Sequence, residues 1–286
     1  MENVKIKSKL RWGYALPWYG PFMKLDTDQL YAKLKFLKAH NLKNTGVSIS
    51  EIDKLSKQHQ ERLWGYLEAS NLDLVPEIGY DYIWSSDEEI KRNNEEIISN
   101  INKYAKYMRT GIVHTGSKAG HRFDRKMPLD EKLERLSKAL GPIATACKEL
   151  RTPLCIENHG DFYCSDLVKL CKETPELYMF LDTGNVYLIG EQAMTAFELA
   201  APYTVGTHFK DHHVRPCPDA RPLHFEVAGS AIGEGDVPLK ECYDLLMKYS
   251  PNPDKLVMMM EMISPDDMEP TDCLNRSINF VNSLEG

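Results

Sequence analysis

Eight short apolar runs recur along this chain, and each is followed by a longer stretch with helical periodicity. The runs are Leu10–Leu16, Thr45–Ser50, Leu72–Ile78, Thr110–Thr115, Pro153–Glu157, Tyr178–Asp182, Thr204–Phe209 and Leu256–Ile263. Helical patterns fall at Thr27–His40, Glu51–Ser70, Glu88–Met108, Leu129–Leu150, Ser165–Lys172, Ala193–Ala201, Pro238–Tyr249 and Asp266–Leu284. Strand-then-helix units impose parallel strands joined by right-handed crossovers. Eight such units in 286 residues predict an α/β chain folded as one (β/α)8 barrel, with residues 1–286 forming a single domain. An open doubly wound sheet is the competing arrangement, but the glycine fingerprint that would accompany it after the first strand is missing. Polar segments separate the units, and the least regular, His212–Asp236 with its RPCPDARP and GEGD stretches, is expected to form a long loop over the barrel mouth.

Side chains at the C-terminal ends of barrel strands converge on one mouth, so the residues closing each run carry the functional information. The fifth run closes on Glu157 with His159 beyond it, the sixth on Asp182, the seventh on His208, and the eighth contains Glu261. Four apolar strands each delivering a carboxylate or imidazole to one end would be costly without a cation to hold them together. Three carboxylates and one imidazole, with no thiolate, suit a hard to borderline divalent ion. One metal ion is therefore expected on Glu157, Asp182, His208 and Glu261, with Mn²⁺ the first choice and Co²⁺ or Mg²⁺ the alternatives.

The segments LCIENHG, FLDTGN, VGTHFKD, GEGDV and MMMEM resemble the xylose-isomerase-like TIM barrel superfamily over nearly the whole chain. That superfamily includes sugar-phosphate isomerases and epimerases, ketose 3-epimerases, inosose dehydratase, C-glycoside deglycosidases and apurinic endonucleases. The resemblance implies the same metal ligands, and in the isomerase and epimerase branches it implies that the two glutamates act as base and acid. A carboxylate beside an acidified C–H can take its proton and form an enediolate, and Glu157 and Glu261 are expected to address opposite faces of the substrate.

Ketose 3-epimerases usually carry a second glutamate six residues after the first ligand and a histidine three after the aspartate, where this chain has Tyr163 and Asn185. The same metal site can serve β-elimination from a keto-sugar, a keto-inositol or a 3-keto-glucoside, in which case an acid for the leaving group is needed. His114, closing the fourth run, and His159 are the candidates, since imidazole titrates near neutrality. His159 equally reads as support for Glu157. Substrate contacts are expected from Arg215, Glu77, Lys118 and Trp12. Arg215 follows His208 by seven residues, where a family arginine often contacts substrate hydroxyls. Glu77 and Lys118 sit at strand ends, and Trp12 belongs with Tyr14, Trp18 and Tyr19 to an aromatic cluster that reads either as a sugar-facing wall or as packing.

A net charge of −7 disfavours a nucleic-acid partner and with it an endonuclease activity, because phosphate recognition needs clustered Lys and Arg. No apolar run approaches the roughly 20 residues of a membrane span and no leader is visible at the N-terminus, so neither a membrane partner nor export is expected. Seven scattered cysteines without a CxxC pair read as reduced thiols. A cytoplasmic enzyme acting on a small sugar-like molecule is the resulting expectation, with a homo-oligomer or a second subunit left open.

Overall fold

The computed structural model describes residues 3–15, 27–118, 120–217 and 224–285, with side chains in the first helix described from residue 30. Eight parallel strands ring a common axis: β1 (Trp12–Tyr14), β2 (Asn44–Ser48), β3 (Asp73–Ile78), β4 (Val113–Thr115), β5 (Leu154–Glu157), β6 (Leu177–Asp182), β7 (Thr204–Phe209) and, after a hairpin, β10 (Val257–Met260). Their order is β1-β10-β7-β6-β5-β4-β3-β2. The remaining gap is bridged where the Lys43 N–H donates to the Trp12 carbonyl at 2.7 Å and the Asn44 side-chain amide donates to the Arg11 carbonyl at 2.7 Å. The result is the expected TIM barrel.

Alternation along each strand decides what lies inside the ring and what lies outside. Val75, Ile112, Cys155, Phe180, Val257 and Met259, on the strands or directly before them, form an apolar plug within the barrel. Their neighbours Leu74, Val113, Leu154, Ile156, Leu181 and Met258 join the helix faces in the larger core. Each of these side chains is buried, at about 1.5–3 kcal/mol apiece for a fully buried aliphatic. One step further toward the C-terminal end, the inward phase reaches Glu77, His114, Glu157, Asp182 and His208, with Glu261 following directly after β10.

The outer layer comprises α1 (Thr27–Ala39), α2 (Ile49–Lys54), α3 (Lys57–Ser70), α4 (Asp87–Met108), α5 (Leu129–Glu149), α6 (Cys164–Glu173), the short α7 (Asn185–Leu188), α8 (Ala193–Ala200), α9 (Leu239–Tyr249) and α10 (Pro270–Ser283). The start of α4 is set by a capping box: the Glu89 N–H donates to the Ser86 hydroxyl at 3.3 Å, and Glu89 accepts from the Ser86 N–H at 2.8 Å. The helix expected over Glu51–Ser70 is two helices. Ser56 accepts from the His59 N–H at 3.3 Å and restarts the helix, while Leu55 takes an extended conformation.

The stretch His212–Asp236, expected as a loop, contains an antiparallel hairpin of β8 (His212–Pro216) and β9 (Phe225–Gly229). The base of that hairpin is fixed by Asp211, whose carboxylate accepts backbone N–H groups from His212, Gly233, Gly235 and Val237 at 2.8–3.2 Å. The first and last barrel strands are shorter than their sequence runs. Leu16, Trp18 and Tyr19 lie outside the described residues. Among the described residues, no helix is long and apolar enough to cross a membrane.

Candidate metal centre

Glu157, Asp182, His208 and Glu261 each offer one ligand atom, and these atoms lie within 4.8 Å of one another. The first three are buried and Glu261 is partly so, its side chain 21% exposed toward the mouth. Strand alternation alone brings them together, since β5, β6, β7 and β10 are consecutive neighbours in the ring.

Each ligand is oriented by the residues around it. One oxygen of Asp182 accepts the N–H groups of Gly184 at 2.9 Å and Asn185 at 3.0 Å, which turns the other toward the cluster. Asn158 brackets the same strand end: its amide donates to the Asp182 carbonyl at 2.9 Å and its oxygen accepts the Asp182 N–H at 2.8 Å. Glu157 lies between two imidazoles, with His208 Nδ1 2.9 Å from Oε1 and His114 Nε2 2.9 Å from Oε2. Phe180 packs beneath both rings, its centroid 4.3 Å from His114 and 4.7 Å from His208. Such outer contacts fix ligand orientation and tautomer in metal sites.

Lys210 completes the cluster. Its Nζ lies 2.8 Å from Asp182 Oδ2 and 2.7 Å from Glu261 Oε2, and only 7% of the residue is exposed. The protonation states follow from this crowd. Burial pushes the Asp182 carboxyl up to about 7, with Lys210 opposing and the two glutamates reinforcing. Burial alone would drive His208 down, but Glu157, Glu261 and Asp182 outweigh it and raise the imidazole to about 9. Glu157 is held well below the usual carboxylate range because His208 and His114 overcome its desolvation. Three acidic groups and an imidazole packed this closely, with oxygen-rich donors and no thiolate, are a chemical fit for one divalent cation of the Mg²⁺ or Mn²⁺ type.

The cluster opens into a cavity of about 1210 Å³. His159, Glu77 and Lys118, together with His114, line it as the sequence suggested. His159 is exposed, its N–H donates to Asp161 at 3.2 Å, and its imidazole lies close enough to that carboxylate to act on its charge. Two expected substrate contacts are placed elsewhere. Trp12 is paired in register with outward-facing Met258, so its indole lies in the strand–helix layer, edge-on to Phe209 at 5.3 Å and donating to the Ser8 hydroxyl at 3.1 Å. Arg215 lies on the hairpin, where it pairs with Glu226 at 2.6 Å, and it is absent from the cavity lining.

Sequence reasoning assigned no role to Lys210, Asn158 or Asp161. Lys210 was within reach, because two residues past inward-facing His208 the strand phase returns to the same side. Asn158 and Asp161 act through loop contacts that no periodicity announces. Asp161 binds the Ser117 hydroxyl and accepts the Phe162 N–H at 2.8 Å, and its backbone carbonyl accepts the Arg122 N–H at 2.8 Å.

Comparison with known proteins places this geometry in a family. No curated protein matches the sequence. Among solved structures, a xylose isomerase-like TIM barrel protein from Mycobacterium smegmatis in complex with magnesium is similar at a TM-score of 0.67 and 15% identity, covering 97% of each chain. An L-ribulose 3-epimerase is similar at 0.69 and 14%, over 96% of this chain and 93% of the other. A 3-keto-D-glucoside 4-epimerase from E. coli is similar at 0.69 and 12%, over 96% and 99%. These identities establish a shared fold. The model of the xylose isomerase-like TIM barrel family matches residues 36–284, and the chain belongs to that family.

Proposed function

We propose that this protein is a divalent-metal-dependent isomerase or epimerase of a sugar or sugar phosphate, working in the cytoplasm by proton abstraction next to a carbonyl. The observation that carries the reading is the convergence of Glu157, Asp182, His208 and Glu261 within 4.8 Å at the floor of the cavity. A bound divalent ion, Mn²⁺ for preference, would supply Lewis acidity that lowers the pKa of the C–H beside the substrate carbonyl and stabilises the enediolate. Glu157 and Glu261 are the base and acid: one takes the proton from carbon and the other returns one, so mass is conserved. Glu157 is oriented for this role by His208 at one oxygen and His114 at the other. Lys118 and Glu77 line the cavity, and we assign them to substrate hydroxyls. All seven cysteines are free, in keeping with a reducing compartment.

A second reading, β-elimination from a keto-sugar, keto-inositol or 3-keto-glucoside, is favoured by His159. It lines the cavity, is exposed there, and can protonate a leaving group. His114 is engaged with Glu157, and we assign it to orienting that carboxylate in either reading.

Elemental analysis of the wild type and Glu157→Ala, followed by incubation with keto-sugars in D₂O, tests both readings. About one divalent ion per chain, lost in the variant, with deuterium appearing beside the carbonyl, is expected. Retention of normal exchange by Glu261→Gln with metal bound would remove the acid–base assignment. Product mass separates the two readings: isomers conserve it, whereas elimination releases water or an aglycone.

A further inference from the structure

Lys210 reaches the cluster from behind the ligands and does not line the cavity. Its ammonium meets three oxygens: Asp182 Oδ2 at 2.8 Å, Glu261 Oε2 at 2.7 Å and Asn185 Oδ1 at 3.3 Å. Among the described residues, the other deeply buried lysine is Lys132, which meets backbone carbonyls of His121 and Asp124 and forms no ion pair. At Lys210, then, a fixed positive charge is aimed at two of the four groups that would hold the metal. A lysine ammonium has three donors and no acceptor, so it can occupy carboxylate oxygens but cannot itself join a coordination sphere.

The charges add up simply. Glu157, Asp182 and Glu261 carry three negative charges, Lys210 one positive, and a divalent ion brings the sum to zero with His208 neutral. Without Lys210 the loaded cluster would be left with one uncompensated negative charge and the ion with no neighbouring cation to repel it.

We propose that Lys210 is a built-in competitor for the metal: it occupies oxygens of Asp182 and Glu261 while the ion is away and keeps the ion's hold weak enough for exchange. The inference deepens the metal-centre reading and rests on it. Lys210 acts through the ligands and is a positioning residue, so its signature is metal affinity rather than turnover.

The test titrates metal-stripped wild type, Lys210→Met, Lys210→Gln and Lys210→Arg with Mn²⁺ alone by calorimetry, and records the melting temperature of each without metal. Removing a like charge this close to the site is expected to tighten Mn²⁺ binding at least tenfold in the Met variant. The metal-free Met variant is expected to melt below wild type, and the Arg variant to bind within about threefold of it. If the Met variant does not fold, the Gln variant, which keeps a donor without the charge, carries the same expectation. Equal or weaker binding in the neutral variants, with wild type binding normally, overturns the competitor role and leaves Lys210 as a simple support of the ligands. Failure of wild type to take up Mn²⁺ overturns the metal-centre reading and this inference together.

Discussion

The ring of His114 meets the carboxylate of Glu157 at 2.9 Å, Nε2 to Oε2, while His208 takes the other oxygen. The contact crosses from β4 to β5 and holds in place the first ligand of the centre. His114→Ala should leave that oxygen without a partner while the fold persists. Metal affinity is expected to fall about 10–100-fold, the usual cost of losing an outer contact to a ligand. Titration of the stripped variant with Mn²⁺, with a circular dichroism spectrum as the control, measures it.

Metal uptake should tighten with alkalinity. His208, raised to about 9, carries a proton at neutral pH that must leave before its nitrogen can bind. Affinity is therefore expected to rise by about tenfold per pH unit for each proton released, and to level off above about pH 9. A flat profile between pH 6 and 8 would contradict the assignment of His208 as a ligand.

The metal-free protein should show the opposite trend in stability. His208 titrates higher in the folded chain than in the unfolded one, so its contribution is complete below about pH 6.5 and disappears as pH rises through about 9. Asp182, raised to about 7, acts in the same direction, since the folded state keeps a proton that the unfolded state has already lost. Melting temperatures of stripped protein should fall from pH 6 to 9.5, and His208→Asn should flatten the upper part of that decline.

Gly206 faces the barrel interior, and a Cβ there would lie 2.6 Å from the Phe180 ring. Gly206→Ala must displace Phe180, on which His114 and His208 rest. We expect a loss of about 1–3 kcal/mol in denaturant unfolding, in the range of other overpacked cores, together with weaker metal binding.

Thiol reactivity should divide sharply. Cys147, Cys155, Cys164, Cys171, Cys242 and Cys273 are buried, and desolvation raises their pKa values, whereas Cys217 is partly exposed. A disulfide reagent at pH 8 should consume one thiol quickly and the others only on unfolding.

Much of this was legible because strand and helix periods are local properties. The ligands could be named because each closes an apolar run, and burial of the run fixes which way its last residue points. Trp12 stayed open between wall and packing because its run contains residues of both phases and only the partner strand tells them apart: Met258 beside it faces the helices. Arg215 was reached by counting seven residues through a presumed loop, and a β-hairpin carries it elsewhere. The break at Leu55 and Ser56 follows from a cap that competes with a helical pattern continuing on both sides.

The four amide contacts of Asp211 have a consequence for how such a chain can diversify. They pin both ends of the 212–236 excursion to one point, one residue beyond Lys210. Whatever grows between those ends hangs from one four-bonded anchor, so the hairpin can lengthen, shorten or be replaced as an interchangeable cartridge. Selection can then reshape this outer edge of the barrel while the ligands beneath stay as they are.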